Sequence, residues 1–197
     1  MSGDQLRILH VCTGNICRSP MAERIMRHEL DVAFGAGAAD FDVRSAGTYG
    51  GHEGQPMNPP AVRALAALGV DGSGHRASWL REPHVAWADL VLTGTADQRA
   101  EVLTLEPSAL RRTFALRELA RLAAEVRPAE LGAGSPAERL RMLIDSAAGL
   151  RAVHPPSART VDDLGDPYGG PPEEFTRVAH VVQSAVRDIL RPLGDRS

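Results

Sequence analysis

The sequence lacks lysine altogether and contains few aromatic residues. All 22 basic residues are arginine, against 25 acidic residues, and the formal net charge is −3. A chain so close to neutrality gives no reason to expect general affinity for nucleic acid or for an anionic membrane. We attribute the missing lysine to a bias of composition and not to a specific chemistry.

Long apolar runs are also absent. No stretch approaches the roughly 18 residues of a membrane-spanning helix, and residues 1–20 have no basic start followed by an apolar stretch. We therefore expect a cytoplasmic protein with no membrane partner. Its 197 residues, 43% of them hydrophobic, fit one domain over 1–197 with a sizeable core.

Cysteine is the scarcest reactive residue, since Cys12 and Cys17 are the only two. They cannot form a disulfide framework, and in a reducing cytosol they are better explained as catalytic or redox-active. Two cysteines also argue against structural zinc. The seven histidines show no metal-ligand spacing, and His52 and His75, in loops, are expected to be solvated. No dinucleotide fingerprint appears, so we expect neither a metal nor a cofactor.

The order of predicted elements favours an α/β fold. Short apolar runs at 6–11, 41–45 and 88–93 predict buried strands, with a fourth near 112–116. Strands separated by helices favour a four-stranded parallel sheet with helices on both faces. Helical patterns occupy 19–34, 58–68, 97–103, 135–150 and 171–193. Residues 120–160, where Gly- and Pro-bearing links flank the helical piece, predict a helical insertion that is mobile at its edges.

The stretch VCTGNICRSPMAE, residues 11–23, follows the first predicted strand. Five residues separate Cys12 from Arg18, so a loop can bring the guanidinium near the sulfur. Inward N–H groups and the start of the next helix would form an anion site at the carboxyl end of the strand. Arg18 can grip two phosphate oxygens, and the same groups favour a nucleophilic Cys12 thiolate.

Neighbouring residues strengthen this hypothesis. Gly14 permits unusual backbone angles, Asn15 tolerates the left-handed region, and Ser19 suits a helix cap. Cys-x5-Arg arises easily by chance in an arginine-rich chain, and Cys12 alone could be a small buried hydrophobe at a strand end. The combination favours a phosphate-handling site over an inert turn.

Phosphoryl transfer also needs an acid and a base. The segment DDLGDPYGGPP at 162–172 offers Asp162, Asp163 and Asp166 among turn-forming residues. Any one of them alone is equally a turn or cap aspartate. Sequence spacing does not choose between them.

Three motifs together resemble the bacterial low-molecular-weight protein tyrosine phosphatases: VCTGNICRSPMAE, SAGT at 45–48 and DPYGG at 166–170. The resemblance covers about residues 6–120 and 160–193, and it places later strands at DLVLT (89–93) and FALREL (114–119). After DLVLT this chain reads GTADQR, where family members often have methionine and an acidic or polar residue. The end of the third strand is therefore expected to lack the usual side chains.

The resemblance implies a role for each matching residue. Cys12 would attack phosphorus and form a phosphocysteine, while Arg18 and the N–H groups of residues 13–18 would hold the oxygens. Asp166 would protonate the phenolate and then activate water. The other residues implied in the loop and its support are Thr13, Gly14, Asn15, Ile16, Cys17, Ser19 and Ser45.

Ser19 would hydrogen-bond the thiolate, and Asn15 and Ser45 would brace the loop. Cys17 would form a reversible disulfide with Cys12 under peroxide, although simple packing of Cys17 is an equal alternative.

Substrate choice is indicated by the expected walls of the cleft. A deep cleft favours phosphotyrosine because its side chain reaches further than phosphoserine. By resemblance, Tyr49 and Tyr168 would form aromatic walls, or they are ordinary loop tyrosines. Related phosphoarginine phosphatases carry threonine where this chain has Ile16, and the apolar side chain favours an aryl phosphate.

Three alternatives remain beside a phosphotyrosine phosphatase. The related arsenate reductases need a third thiol, which this chain lacks. A phosphatase for phosphoarginine or for a small-molecule or sugar phosphate is disfavoured by Ile16 and the tyrosines. A catalytically silent phosphate-binding or scaffolding module has no need of both nucleophile and acid. The expected partner is a phosphotyrosyl protein, for example a bacterial tyrosine kinase, and nothing indicates the oligomeric state.

Overall fold

The protein is built on one parallel sheet. The structure, a computed structural model, describes residues 5–156, 158 and 160–194, so the domain limits predicted at residues 1 and 197 lie outside the described residues. The strand order is β2–β1–β3–β4, and all pairs are parallel. The strands are β1 Leu6–Cys12, β2 Phe41–Gly47, β3 Leu90–Thr93 and β4 Thr113–Ala115.

Helices connect the strands and cover the sheet. The α-helices are α1 Arg18–Phe34, α2 Pro59–Ala67, α3 Glu82–Trp87, α4 Ala96–Leu105, α5 Leu116–Ala123, α6 Pro136–Leu150 and α7 Pro172–Gly194. Short 3-10 helices lie at Gly35–Asp40, Gly50–His52, Pro107–Arg112 and Pro128–Leu131.

Successive side chains of β1 point to opposite faces of the sheet and pack into two separate hydrophobic cores. Ile8 packs into the larger core with α1, α2, α5, α6 and α7. Leu9, on the opposite face, joins a smaller core that includes Val85 of α3 and Val102 of α4. Both faces of the sheet are thus covered, which is why its strands are apolar almost throughout. The predicted α/β class, with a four-stranded parallel sheet and helices on both faces, is confirmed.

The segments next to the third and fourth strands differ from what the sequence predicts. Only residues 114 and 115 of FALREL lie in a strand, and α5 begins at Leu116. Buried Leu116, Leu119 and Ala120 recur at helical spacing, and Glu118 Oε2 accepts a hydrogen bond from the Ala115 N–H at 3.1 Å. The six-residue α3 was not predicted from the sequence, because so short a helix carries little periodic signal.

Residues 120–160 contain α6, which begins one residue after the predicted start. Ser135 caps it, accepting from the Glu138 N–H, and Glu138 Oε2 accepts from the Ser135 N–H at 2.8 Å. Leu140 and Leu143 of α6 are fully buried in the larger core. The helix therefore packs as part of this core.

Candidate active site

The loop between β1 and α1, residues 12–18, is called the phosphate loop below. Most of its carbonyl groups accept hydrogen bonds from outside the loop, at 2.7–2.9 Å. Because C=O and the following N–H point in opposite directions across a trans peptide, the N–H groups of residues 13, 14, 16 and 17 turn toward the inside. The donors and their acceptors are Thr48 N–H to Cys12, Tyr49 N–H to Thr13, His75 Nε2 to Asn15, and Asn58 N–H to Ile16.

Asn15 holds the turn of the phosphate loop. Its φ is 53°, and no other non-glycine residue among those described has a positive φ. The side chain is fully buried, and its Nδ2 donates to Ser19 Oγ and Ser45 Oγ, both at 2.9 Å. Its Oδ1 accepts from the Ser78 N–H at 2.8 Å. Asparagine tolerates the left-handed region better than most residues, and here tertiary hydrogen bonds lock it there.

A second close approach involves Gly47 at the end of β2. A Cβ on Gly47 would lie 2.6 Å from the carbonyl oxygen of Thr13. The strand can pass this close to the loop only because position 47 has no side chain.

Cys12 receives hydrogen bonds from inside the loop. Its Sγ lies 3.0 Å from Ser19 Oγ and 3.3 Å from the Asn15 backbone nitrogen. Ser19 Oγ accepts from the Asn15 side chain, and its single proton faces two acceptors, the sulfur and the Ala46 carbonyl at 3.3 Å. Ser19 was expected to cap α1, but the helix begins at Arg18 and the hydroxyl is turned toward Cys12 and the Ala46 carbonyl instead.

The hydrogen-bond network continues outward to two residues that sequence reasoning missed. Ser45 Oγ donates to Glu23 Oε2 at 2.6 Å, and Glu23 also pairs with Arg27 at 3.0 Å. His75, expected to be solvated, is only 6% exposed and bonds the Asn15 carbonyl. Burial is the main cause that lowers the pKa of His75. Glu23 sits within the SPMAE part of the motif, whereas nothing near His75 signals its role.

Cys17 has a different environment from Cys12. Burial, and next the proximity of Cys12, raise the pKa of the Cys17 thiol to about 12. Both cysteines are free thiols. A thiol held protonated is a poor attacking group, so this environment disfavours Cys17 as a redox partner, and that role stays a prediction.

Arg18 joins the phosphate loop to the segment before α7. The side chain is buried, and its Nη2 pairs with Asp166 Oδ2 at 2.8 Å. Its Nη1 donates to the Leu164 carbonyl at 3.3 Å. The Tyr168 N–H donates to the other Asp166 oxygen at 3.1 Å, which orients the carboxylate.

The three candidate acids are separated by their surroundings. Asp162 is paired with Arg121 of α5 at 2.8 Å. Asp163 accepts a hydrogen bond from the Ala96 N–H at the start of α4. Of the three, Asp166 alone lines the cavity above the phosphate loop, and it is therefore the candidate acid at this cavity.

This cavity has a volume of about 230 Å³. Tyr49 and Tyr168 stand at its rim, 57% and 60% exposed. Between them lies the ring of His52, whose centroid is 5.6 Å from that of Tyr49 and 6.2 Å from that of Tyr168. His52, expected to be a solvated loop residue, is half-buried here and lines the cavity. The lining residues are Cys12, Thr13, Gly14, Ile16, Cys17, Arg18, Tyr49, His52, Asp166 and Tyr168.

The segment GTADQR also reaches the phosphate loop. Gln98 is buried, and its Nε2 donates to Thr13 Oγ1 at 3.0 Å. Gly94 connects β1 to the segment that carries Asp166. Its N–H donates to the Val11 carbonyl, and its carbonyl accepts from the Leu164 N–H. The segment after β3 thus contributes a side chain from the first turn of α4, although not one that the family resemblance indicated.

The described residues contain neither a candidate membrane span nor a candidate metal cluster. Within the described part of the chain, no helix combines the length and apolar character needed to cross a membrane. No three His, Cys, Asp or Glu side chains of the described residues gather as metal ligands would.

A parallel α/β sheet whose first strand runs into a Cys-x5-Arg loop is typical of phosphatases that use a cysteine nucleophile. The family model described as "Low molecular weight phosphotyrosine protein phosphatase" matches residues 7–128. The match spans more than half of the chain, and the protein belongs to this family. The DPYGG motif lies beyond the matched residues.

Relatives agree with this assignment. The chain is 35% identical over 185 residues to low molecular weight protein-tyrosine phosphatase A of Mycobacterium tuberculosis, covering 93% of this chain and 88% of the relative. It is 28% identical over 190 residues to a protein-arginine-phosphatase of Geobacillus stearothermophilus, covering 96% and 92%. The crystal structure of the low molecular weight protein tyrosine phosphatase from T. tengcongensis superimposes with a TM-score of 0.67 at 28% identity, covering 95% and 99%. The predicted family and enzyme class are confirmed.

Proposed function

We propose that this protein hydrolyses phosphotyrosine in proteins through a phosphocysteine intermediate on Cys12. One observation carries the proposal: Cys12, Arg18 and Asp166 line a single cavity of about 230 Å³ with a tyrosine on either side. Nucleophile, anion holder and proton donor therefore meet at one place, as phosphoryl transfer requires.

In the first step the Cys12 thiolate attacks phosphorus at the floor of the cavity. The S–P bond forms as the bond from phosphorus to the phenolic oxygen breaks, and Asp166 donates its proton to that oxygen. Arg18 and the inward N–H groups hold the three equatorial oxygens as charge spreads over them. Arg18 pairs with Asp166, so a bound phosphate dianion would replace one anionic partner of Arg18 with another.

In the second step water hydrolyses the phosphocysteine. Asp166, now a carboxylate, takes a proton from the water as its oxygen attacks phosphorus, and the S–P bond breaks. The Ser19 hydroxyl, 3.0 Å from Cys12 Sγ, stabilises the departing thiolate. Inorganic phosphate then leaves, and the enzyme returns to its initial state.

The walls of the cavity support an aryl substrate. Tyr49 and Tyr168 offer flat apolar faces to a phenyl ring, and Ile16 adds apolar surface on the loop itself. Phosphoarginine is the second candidate, because the chain is also related over 96% of its length to a protein-arginine-phosphatase. The apolar Ile16 favours the tyrosine substrate, since a guanidinium would leave its N–H groups without partners there.

The substrate class is tested by phosphate release from a phosphotyrosyl and a phosphoarginyl peptide of the same sequence, with Cys12→Ser as the blank. We expect release from the phosphotyrosyl peptide to be faster. A preference for phosphoarginine would overturn the substrate but keep the mechanism. If no phosphate is released from either peptide or from p-nitrophenyl phosphate, a binding module would be favoured.

The acid is tested by the leaving group. Asp166→Asn should slow phenyl phosphate, whose phenol has a pKa near that of tyrosine at about 10, by roughly 10²–10⁴-fold. It should slow p-nitrophenyl phosphate much less, because that leaving group needs little protonation. Asp162→Asn is the matched control, since Asp162 pairs with Arg121 outside the cavity, and it should slow neither selectively. Equal slowing of both esters by Asp166→Asn would refute the acid role.

A cytoplasmic location, the absence of a nucleic-acid partner and a bacterial tyrosine kinase as substrate stay predictions, as does a single domain with an insertion at about 120–160.

A further inference from the structure

Gln98 is a buried amide whose position is fixed at the start of α4. The residue is only 3% exposed. Its backbone N–H donates to Thr95 Oγ1, which caps the helix. Asp163 holds the same turn through the Ala96 N–H. Among the described residues, the Gln98 side chain makes one hydrogen bond, from Nε2 to Thr13 Oγ1 at 3.0 Å.

The other end of this amide is left without a partner. Among the described residues, no donor reaches Gln98 Oε1, although the atom is buried. A buried carbonyl oxygen without a hydrogen bond destabilises a protein, and an apolar side chain of the same size would avoid that cost. The amide is therefore best explained by what its N–H group does to Thr13.

The hydroxyl of Thr13 can be accounted for atom by atom. It has two lone pairs and one proton. Gln98 donates to one lone pair, and Arg18 Nη2 approaches the oxygen at 3.5 Å. Arginine has no acceptor atom, so the Thr13 proton must point elsewhere, and Thr13 lines the cavity.

We propose that Gln98 is a positioning residue: its amide N–H occupies the Thr13 oxygen so that the Thr13 hydroxyl proton is presented to an oxygen of the bound phosphoryl group. This inference rests on the proposed function, since it names a further donor at the same site. Donation from Gln98 and Arg18 also polarises the hydroxyl, which strengthens it as a donor.

The experiment measures the inhibition constant of inorganic phosphate against p-nitrophenyl phosphate turnover, at fixed pH and salt. Gln98→Met keeps the size of the side chain and removes the amide, and Thr13→Val removes the hydroxyl. Each substitution should raise the inhibition constant of phosphate by roughly tenfold, which is the effect of losing one hydrogen bond to a charged group. Because Gln98 acts through Thr13, the double variant should bind phosphate no more weakly than Thr13→Val alone.

Two more variants separate positioning from packing. Gln98→Glu keeps the shape but offers an acceptor that captures the Thr13 proton, so phosphate should bind more weakly than in Gln98→Met. Thr13→Ser keeps the hydroxyl and should bind phosphate more tightly than Thr13→Val. Gln183→Met is the matched control, because that amide bonds Glu29 away from the cavity, and its inhibition constant should equal that of the unaltered protein.

Additive effects in the double variant, or an unchanged inhibition constant in Gln98→Met, would overturn the inference while leaving the phosphatase intact. Failure of the proposed function has a different signature, because the unaltered protein would then not hydrolyse the ester at all. If Gln98→Met does not fold, the comparison of Thr13→Val with Thr13→Ser and Gln98→Glu decides.

Discussion

Replacement of Asn15 tests how the phosphate loop is held. Its side chain makes three hydrogen bonds, to Ser19, Ser45 and the Ser78 N–H, and its backbone has a φ of 53°. Asn15→Gly removes the three bonds and keeps a residue that accepts positive φ. Asn15→Ala removes the same bonds and adds the strain of a Cβ in the left-handed region.

The magnitude follows from these contacts. At about 1 kcal/mol for each buried hydrogen bond, Asn15→Gly should lower the free energy of unfolding by about 3 kcal/mol. The left-handed strain, less the extra entropy that glycine loses on folding, should make Asn15→Ala worse by roughly another 0.5–1 kcal/mol. Since the free energy of unfolding of a domain is about 5–15 kcal/mol, both variants should still fold.

The assay is urea unfolding with the midpoint and slope measured for each variant. Asn58→Ala is the control, because Asn58 also precedes a helix but makes no side-chain cap bond and has a φ of −56°, so a change within about 0.5 kcal/mol is expected. An Asn15→Ala variant as stable as Asn15→Gly would refute the strain argument. A loss below about 1 kcal/mol in both would refute the hydrogen-bond argument.

Three further predictions concern specificity, thiol reactivity and pH. Ile16→Thr should shift the ratio of phosphotyrosyl to phosphoarginyl peptide hydrolysis toward phosphoarginine by severalfold, because it replaces apolar surface with a hydroxyl in the loop; an unchanged ratio of kcat/KM values would contradict the reading of Ile16. At pH 8 iodoacetamide should alkylate Cys12 and spare Cys17, whose thiol pKa is raised to about 12 by burial and then by Cys12. Fragmentation of the tryptic peptide 8–18, which contains both cysteines, checks which one is labelled, and prominent labelling of Cys17 would count against the prediction. Burial, and secondarily Arg27, lowers the pKa of His10 from 6.5 to about 3. Because the folded state holds His10 neutral while the unfolded chain takes up a proton below about pH 6.5, stability is lost as the pH falls from 6.5 toward 3, by about 2 kcal/mol at pH 5. His10→Leu should reduce the difference in unfolding free energy between pH 7 and pH 5 by that amount, and an equal difference in both proteins would refute the assignment.

Local features of the chain were predictable wherever their cause is local. Apolar runs of strand length and helical spacings predicted the four strands and most helices to within a few residues, because burial on a sheet or a helix face imposes those periods. Cys12, Asn15 and Arg18 share one loop of seven residues, so their grouping needs no long-range contact. The start of α1 was less well predicted, since the Ser19 hydroxyl bonds a sulfur from across the loop and not its own helix.

The amino-acid sequence by itself determined the α/β class, the phosphate loop and a set of three candidate acids. The tertiary structure places only Asp166 of that set at the cavity, because Arg121 and the start of α4 hold the other two aspartates. It also brought in His75 and Gln98, which lie 60 and 85 residues from their partners in the loop. A hydrogen bond between such distant positions depends on how the strands and helices pack, and no local pattern of residue types encodes it.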